Sequence, residues 1–131
     1  MNIHVREYRA ADYGACRSLW AELTERHRLI YGDASIGGDD PGAGIDEYLA
    51  NPARKATWVA EADGAMVGLA GLIVRGKEAE IEPVVVSSVY RSRGAGRALV
   101  RRAVEQAVHS GIRFLSVRPV ARNAEAISFF V

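Results

Sequence analysis

The sequence predicts an α/β (α+β) fold in a single domain, because strand and helix patterns alternate along its length. Asp63-Gly64 stands between two strand-like segments, which is the pattern of a tight β-hairpin. The strand-like run Val84-Val85-Val86 leads through a glycine-containing turn into a long amphipathic helix pattern. The chain has 131 residues, of which 49% are hydrophobic, so it can bury one core of ordinary domain size.

The N-terminal segment predicts a strand followed by a long helix. Ile3 and Val5 alternate with polar residues, as the residues of a half-buried strand do. Asp12 has the position of an N-cap. The apolar or aromatic residues behind Asp12 recur on one helical face, and they are Cys16, Leu19, Trp20, Leu23 and His27.

The next segment predicts a loop, a short helix and a hairpin. Residues 31–44 hold five glycines, one proline and three aspartates, which indicates a loop. A helix over 45–50 should end before Pro52, since proline disfavours helical geometry at the residue that precedes it. The two hairpin strands are expected over 57–61 and 66–74.

The last segment predicts a strand, a helix and a further strand. A turn at 75–77 leads into a strand over 79–87. The helix from Gly96 has an apolar stripe made of Leu99, Val100, Ala103, Val104, Ala107 and Val108. Gly111 is expected to end this helix, and 112–117 then has the composition of a strand.

The turn before this helix predicts a site for phosphate, and it reads Arg91-Ser92-Arg93-Gly94-Ala95-Gly96. The first N–H groups of a helix have no partner within it, and the helix dipole adds partial positive charge. Gly94 and Gly96 would let a ligand approach the backbone. Arg91, Arg93 and Arg97 would add charge, whereas Arg101 and Arg102 either extend that charge or form a solvated helix face.

Two common phosphate motifs are excluded. A Walker A loop requires a lysine after its second glycine, and no lysine follows Lys77. The dinucleotide fingerprint requires a third small residue, where this chain has Leu99.

The remaining pattern, Arg/Gln-x-x-Gly-x-Gly/Ala, resembles the pyrophosphate loop of the GNAT superfamily of acyl-CoA-dependent N-acyltransferases. Residues 79–87 resemble the fourth strand of that family with its acidic residues. Residues 123–130 are similar to its Asn-x-x-Ala-Ile-x-Phe-Tyr segment. The resemblance covers residues 79–131, with three motifs in the expected order.

The resemblance implies a mixed, mostly antiparallel sheet flanked by helices, with a V-shaped splay between the fourth and fifth strands. The pantetheine arm of acetyl-CoA or coenzyme A would lie in that splay. The implied activity is N-acetylation of a primary amine on a small molecule, peptide or protein, and a non-catalytic acyl-CoA-binding domain is the alternative. The implied cofactor-binding residues are Val84, Val85, Val86, Arg91, Ser92, Arg93, Gly94, Ala95, Gly96, Arg97, Asn123 and Phe130.

Two glutamates are candidates for the catalytic base that the reaction needs, since a lysine-type amine of pKa ~10.4 is protonated at pH 7. Glu80 and Glu82 are two residues apart on one strand, so they share a face, which Val84 and Val86 are expected to continue. Apolar surroundings would raise the pKa of such a carboxyl group toward neutrality. The resemblance implies the same role and we favour Glu82, while a salt bridge at the rim is the alternative.

The C-terminal segment departs from the family pattern. Phe130 occupies the position of the tyrosine that protonates the leaving thiolate, and phenylalanine has no proton to give. Asn123 would bind the pantetheine arm, cap its helix, or do both. Family domains continue with two more strands, so residues 1–131 predict one truncated domain or strands supplied by a partner. The uncovered sheet edge would favour self-association, for example as a homodimer.

Composition limits the other partners. A net charge of +1 gives no case for nucleic acid or a membrane surface, and no apolar run approaches the ~20 residues of a membrane span. With Cys16 as the single cysteine, no internal disulfide and no cysteine-built metal site are expected, and no metal ligands are predicted. The expected location is the cytoplasm. The resemblance implies that the helix and loop bordering the acceptor pocket hold His27, Tyr31, Asp33, Asp39 and Asp40. The acidic loop would suit a cationic amine or a peptide N-terminus, or its aspartates are solvated loop residues.

Overall fold

The computed structural model describes residues 2–91 and 93–117. Its strands are β1 (Ile3–Glu7), β2 (Arg54–Ala62), β3 (Ala65–Arg75), β4 (Glu78–Val86) and β5 (Phe114–Val117). Its α-helices are α1 (Tyr13–Tyr31), α2 (Gly44–Ala50) and α3 (Ala95–His109). Short 3₁₀ turns at Ala10–Asp12 and Ser88–Tyr90 precede α1 and follow β4.

The five strands form one sheet in the order β1-β2-β3-β4-β5. The first four are antiparallel neighbours, and β5 runs parallel to β4, from Glu78 opposite Phe114 to Ile81 opposite Val117. The β2–β3 hairpin turns at Asp63 and Gly64, whose φ values of 52° and 78° are those of a type I′ turn. The predicted mixed, mostly antiparallel sheet flanked by helices is confirmed.

Helices cover both faces of the sheet. On one face, α3 packs its buried residues Leu99, Ala103 and Ala107 against β2, β3 and β4. On the other face, α1 and α2 pack over a core made of Cys16, Leu19, Ile45, Tyr48, Val59, Leu69, Ile73 and Val85. The stripe predicted for α3 is too wide, because Val108 is 73% exposed and Val104 36%. The narrow contact of a single helix on a sheet leaves these flanking positions in solvent.

The predicted N-cap residue of α1 has a different role in the structure. Asp12 does occupy the N-cap position, but its side chain does not cap α1. Its two carboxylate oxygens accept hydrogen bonds of 2.8 Å from the guanidinium of Arg6 on β1, and one also accepts the Arg9 N–H at 2.7 Å. The ion pair with Arg6 holds the pKa of Asp12 below its usual value. Asp12 therefore joins the start of α1 to the edge strand of the sheet.

The other predicted elements agree with the structure within a few residues. β5 begins at Phe114 instead of 112, because Gly111, with φ 73°, and Ile112 are used to end α3. The Ile112 N–H donates to the Ala107 carbonyl at 3.1 Å in that helix end. Cys16 is fully buried, and burial raises the pKa of its thiol to about 12.

Candidate active site

The predicted phosphate turn ends at an open helix N-terminus. Gly94 is the N-cap residue of α3 and has φ 91°, a left-handed conformation that favours glycine. A Cβ atom added to Gly94 would meet nothing within 4 Å, so the approach to this backbone is open. The first bond of the helix joins the Ala98 N–H to the Gly94 carbonyl at 3.0 Å. The preceding N–H groups of the first turn are the ones that an α-helix leaves without intrahelical partners.

The predicted residues of this turn differ in exposure. Arg93 and Arg97 are exposed, Arg91 is half-buried, and Ser92 lies outside the described residues. Ala95 and Gly96 are buried, whereas Gly94 is exposed. The role of Gly96 as a point of close approach stays a prediction.

The two arginines further along α3, Arg101 and Arg102, have different surroundings. Arg102 places its guanidinium 5.7 Å from the ring centroid of Trp58, a buried residue of β2. This cation–π contact gives Arg102 a packing role on the sheet face. Arg101 is exposed.

Helix α1 is bonded to the segment at the end of β4 through Glu22 and Arg26, which belong to no local sequence motif. Glu22 accepts a hydrogen bond of 2.6 Å from the Ser88 N–H, and one turn later Arg26 donates to the Val86 carbonyl at 3.3 Å. The Ser87 N–H donates to Val67 on β3, so the carbonyl of the same peptide, that of Val86, points away from β3. Arg26 therefore reaches the edge of β4 that faces β5. In the sequence, the four-residue spacing between Glu22 and Arg26 indicates only that both side chains lie on one face of the helix.

A β-bulge in β4 changes the predicted arrangement of the glutamates. Leu72 of β3 pairs with Ile81 and Ala70 pairs with Val84, so β4 holds one residue more than β3 between these pairs. The extra residue reverses the alternation of side chains. Val84 and Val86 consequently pack with the core under α3. The prediction that they continue the face of Glu80 and Glu82 is wrong.

Glu80 and Glu82 lie on the face of the sheet that α1 and α2 cover. Glu80 pairs with Ile73, which belongs to that core. Burial raises the pKa of Tyr48 on α2 to about 12, and the charge of Glu82 adds a smaller contribution in the same direction. Tyr48 shares a hydrogen bond of 2.6 Å with Thr57, and its hydroxyl lies where a side chain on Gly71 would otherwise project. Glu80 is half-buried and Glu82 is exposed.

A cavity of about 490 Å³ lies on this face beside Glu80. The register places Glu80 opposite Ser116 of β5 and Glu78 opposite Phe114. The cavity is lined by Ile73, Arg75, Glu78, Ala79, Glu80, Arg113, Phe114, Leu115 and Ser116. One predicted base thus lines a space large enough for a small acceptor.

The aspartates of the α1–α2 loop stabilise the loop itself. Asp33 accepts hydrogen bonds from the N–H and the hydroxyl of Ser35 at 2.9 and 2.6 Å. Asp40 pairs with Arg17 of α1 and accepts the Gly42 N–H at 3.2 Å. These contacts favour a structural role over the recruitment of a cationic amine.

The remaining predicted acceptor residues are His27, Tyr31 and Asp39. The half-buried His27 has its pKa lowered by burial, and its ring lies 6.3 Å from that of Tyr31. Asp39 is exposed in the loop.

Several predictions fall on residues that the structure does not describe. Asn123 and Phe130 lie outside the described residues. The splay of the sheet stays a prediction too, because β4 continues to Val86 while β5 is described only to Val117, opposite Ile81. In residues 2–91 and 93–117, no helix is long and apolar enough to cross a membrane. No group of three potential metal ligands occurs in those ranges.

Three solved structures illustrate the similarity of the fold. The PaiA N-acetyltransferase of Thermoplasma acidophilum in complex with coenzyme A is 17% identical, with 99% of this chain and 87% of that chain covered and a TM-score of 0.72. The ribosomal-protein-S18-alanine N-acetyltransferase of Escherichia coli is 19% identical, with 98% and 74% covered and a TM-score of 0.71. A GNAT-family acetyltransferase of Staphylococcus aureus Mu50 is 17% identical, with 98% and 81% covered and a TM-score of 0.76. At these identities the similarity shows a shared fold.

The family assignment comes from the sequence. None of the curated proteins matches the chain. A model of the acetyltransferase (GNAT) family matches residues 9–131, which is most of the sequence. The protein therefore belongs to the acetyltransferase (GNAT) family.

Proposed function

We propose that this protein is an N-acetyltransferase that moves an acetyl group from acetyl-CoA directly to a primary amine. The observation that carries the proposal is the placement of two features by one strand. β4 presents Glu80 and Glu82 on the face beside the cavity, and it then leads through the Gly94 turn into the open N-terminus of α3. The candidate bases on β4 and the candidate anion site at the start of α3 therefore follow one another along the chain.

The first turn of α3 fits the phosphates of coenzyme A. The family assignment supports acetyl-CoA as the co-substrate, as the sequence predicts. The open backbone at Gly94 and the exposed Arg93 and Arg97 supply N–H groups and positive charge for a pyrophosphate. The backbone of Val84 to Val86 would contact the pantetheine arm, with Asn123 as a further candidate.

The glutamates would accept the proton that the amine must lose. As the amine nitrogen bonds to the acetyl carbon, the bond between that carbon and sulfur breaks and the amine proton passes to a carboxylate, directly or through water. We favour Glu82 from the family resemblance, while the half-buried position of Glu80 in the cavity lining makes it the second candidate.

The departing thiolate needs less acid–base assistance than the attacking amine. A thiol has a pKa near ~8.5, so coenzyme A can depart as the thiolate without a proton donor. Phe130 stands where the family pattern has a tyrosine, and this substitution favours a second candidate function, a non-catalytic acyl-CoA-binding domain. The two functions share cofactor binding and differ in turnover.

The proposal also covers location and assembly. We propose the cytoplasm, as the sequence predicts. Self-association is part of the proposal, because β5 is an edge strand of the described sheet and its Phe114 is 66% exposed. The structural neighbour from Escherichia coli acts on an alanine of a protein, which supports the inclusion of peptide amines among the acceptors.

Two measurements test the proposal. Thermal unfolding with acetyl-CoA, coenzyme A and ATP in parallel should show stabilisation by the first two that grows with ligand concentration. Release of free thiol from acetyl-CoA should then depend on an added primary amine. Stabilisation without amine-dependent thiol release would identify a binding domain, and the absence of both effects would exclude both functions.

A further inference from the structure

The cavity beside Glu80 has two levels of side chains along β4, and the register defines them. At the outer level, Arg75 of β3, Glu78 of β4 and Phe114 of β5 lie in one row. At the inner level, Ile73, Glu80 and Ser116 lie in the next row on the same face. All six residues line the cavity. The levels are two residues apart, which is about 7 Å along a strand.

The outer level carries an excess of positive charge. Arg75 and Arg113 both line the cavity and are exposed. The N–H of Arg113 donates to the Lys77 carbonyl at 2.9 Å, so the residue before β5 is held beside the β3–β4 turn that follows Arg75. Over residues 2–91 and 93–117, neither arginine forms an ion pair. Two cations against Glu78 leave this end of the cavity with a net charge of +1.

The inner level carries the opposite charge. Glu80 is the half-buried carboxylate of the cavity, and it lies two residues closer to Glu82 along β4 than Glu78 does. A cationic or neutral amine is the group that suits this position. The cavity therefore has an amine-binding end near the candidate bases and an anion-binding end at the two arginines.

We infer that the acceptor of this transferase carries a carboxylate about 7 Å from its reactive amine, as a dipeptide does. The inference rests on the proposed function and adds the chemical class of its acceptor. An extended residue spans about 3.3–3.6 Å, so the two residues of a dipeptide separate its terminal charges by about the distance between the two levels. A free α-amino acid is too short to reach both levels. A guanidinium binds a carboxylate with paired N–H donors, which gives the site its selectivity.

The test compares glycylglycine, glycylglycine amide and glycine as acceptors at fixed acetyl-CoA, with thiol release as the measurement. The wild-type kcat/KM should be about 10-fold higher for glycylglycine than for its amide, because one charge-assisted contact of about 1.4 kcal/mol corresponds to a factor of ten. Glycine should be a poorer acceptor than glycylglycine. Arg75→Gln and Arg113→Gln should each raise the KM for glycylglycine more than the KM for the amide, so that the ratio of the two kcat/KM values falls toward one.

Controls separate this inference from the proposed function. Lys55→Gln removes an exposed cation of β2 outside the cavity and should leave the ratio of the two acceptors unchanged. Thermal unfolding of each variant checks that it is folded. Equal kcat/KM for glycylglycine and its amide in the wild type would overturn the inference while the transferase function stands. Failure of every amine, with or without acetyl-CoA binding, would overturn both.

Discussion

Arg26 of α1 donates a hydrogen bond of 3.3 Å to the carbonyl of Val86, the last residue of β4. One turn earlier on the same helix, Glu22 accepts the Ser88 N–H. The helix that covers the glutamate-bearing face is thus bonded to the segment that leads into the Gly94 turn. We expect these contacts to set the position of the turn relative to β4, and with it the affinity for coenzyme A.

Glu22→Ala should weaken coenzyme A binding without direct contact between Glu22 and the ligand. The Ser88 N–H would lose a hydrogen bond worth about 0.5–1.5 kcal/mol, so Kd should rise up to about 10-fold as the turn loses its preferred position. Calorimetric titration measures Kd, and Glu47→Ala, an exposed change on α2, is the control. An unchanged Kd in a folded Glu22→Ala protein would show that the contact serves stability alone.

Gly94→Asp should abolish most of the affinity for acetyl-CoA. The substitution places a side chain and a negative charge where the phosphates approach, at a residue with φ 91°. Gly64→Asp is a matched control, because Gly64 also has positive φ and open space but lies in the β2–β3 hairpin. We expect at least a ~10-fold loss of affinity for Gly94→Asp only, the equivalent of one charge-assisted contact. Equal affinities of the two variants in calorimetry would remove the turn from the binding site.

Local sequence patterns predicted the order of the elements and the phosphate turn, because turns and helix starts depend on a few adjacent residues. Gly94 and the Asp63-Gly64 hairpin are examples. The bulge in β4 could not be predicted in this way, since the extra residue exists only relative to its partner strand β3. An alternating pattern through Glu80 and Val84 therefore assigned the two residues to one face, although they lie on opposite faces.

Long-range contacts were missed for a similar reason. The bond between Arg26 and Val86 joins residues 60 positions apart, and neither residue belongs to a local motif. The sequence pattern predicts an N-cap at Asp12 because that position precedes a helix pattern, but Arg6 on β1 competes for its carboxylate. Where a side chain has two possible partners, the tertiary structure determines which one it binds. A local sequence pattern does not contain that information.

Glu82→Gln should lower kcat/KM at neutral pH by about 10²-fold or more, the range of general-base effects, while Kd for coenzyme A stays nearly constant. The loss should shrink at high pH, where the amine is already neutral. Initial rates between pH 6 and pH 10 measure this, with Glu80→Gln in parallel. If Glu82→Gln has the wild-type pH profile and Glu80→Gln does not, the base is Glu80; if both keep it, neither glutamate is the base.

The ion pair between Arg6 and Asp12 predicts how stability changes in acid. Arg6 lowers the pKa of Asp12 in the folded protein, so the folded value lies below the unfolded value of about 3.9. The stabilisation by the carboxylate is then complete above the unfolded pKa and is lost as the pH falls through the folded pKa. Asp12 is nearly buried, with 8% of its side chain exposed, so solvent screens the pair only weakly.

Asp12→Asn should therefore be less stable than the wild type by about 1.5–3 kcal/mol at neutral pH, the range for hydrogen bonds to a charged group. The difference should be constant above about pH 5 and narrow below about pH 4, as the wild-type carboxyl group takes up its proton. Urea unfolding from pH 3 to pH 7 measures the difference, with Glu105→Gln on the exposed side of α3 as control. A gap that does not narrow in acid would show that Asp12 stabilises the fold through its shape and not through its charge.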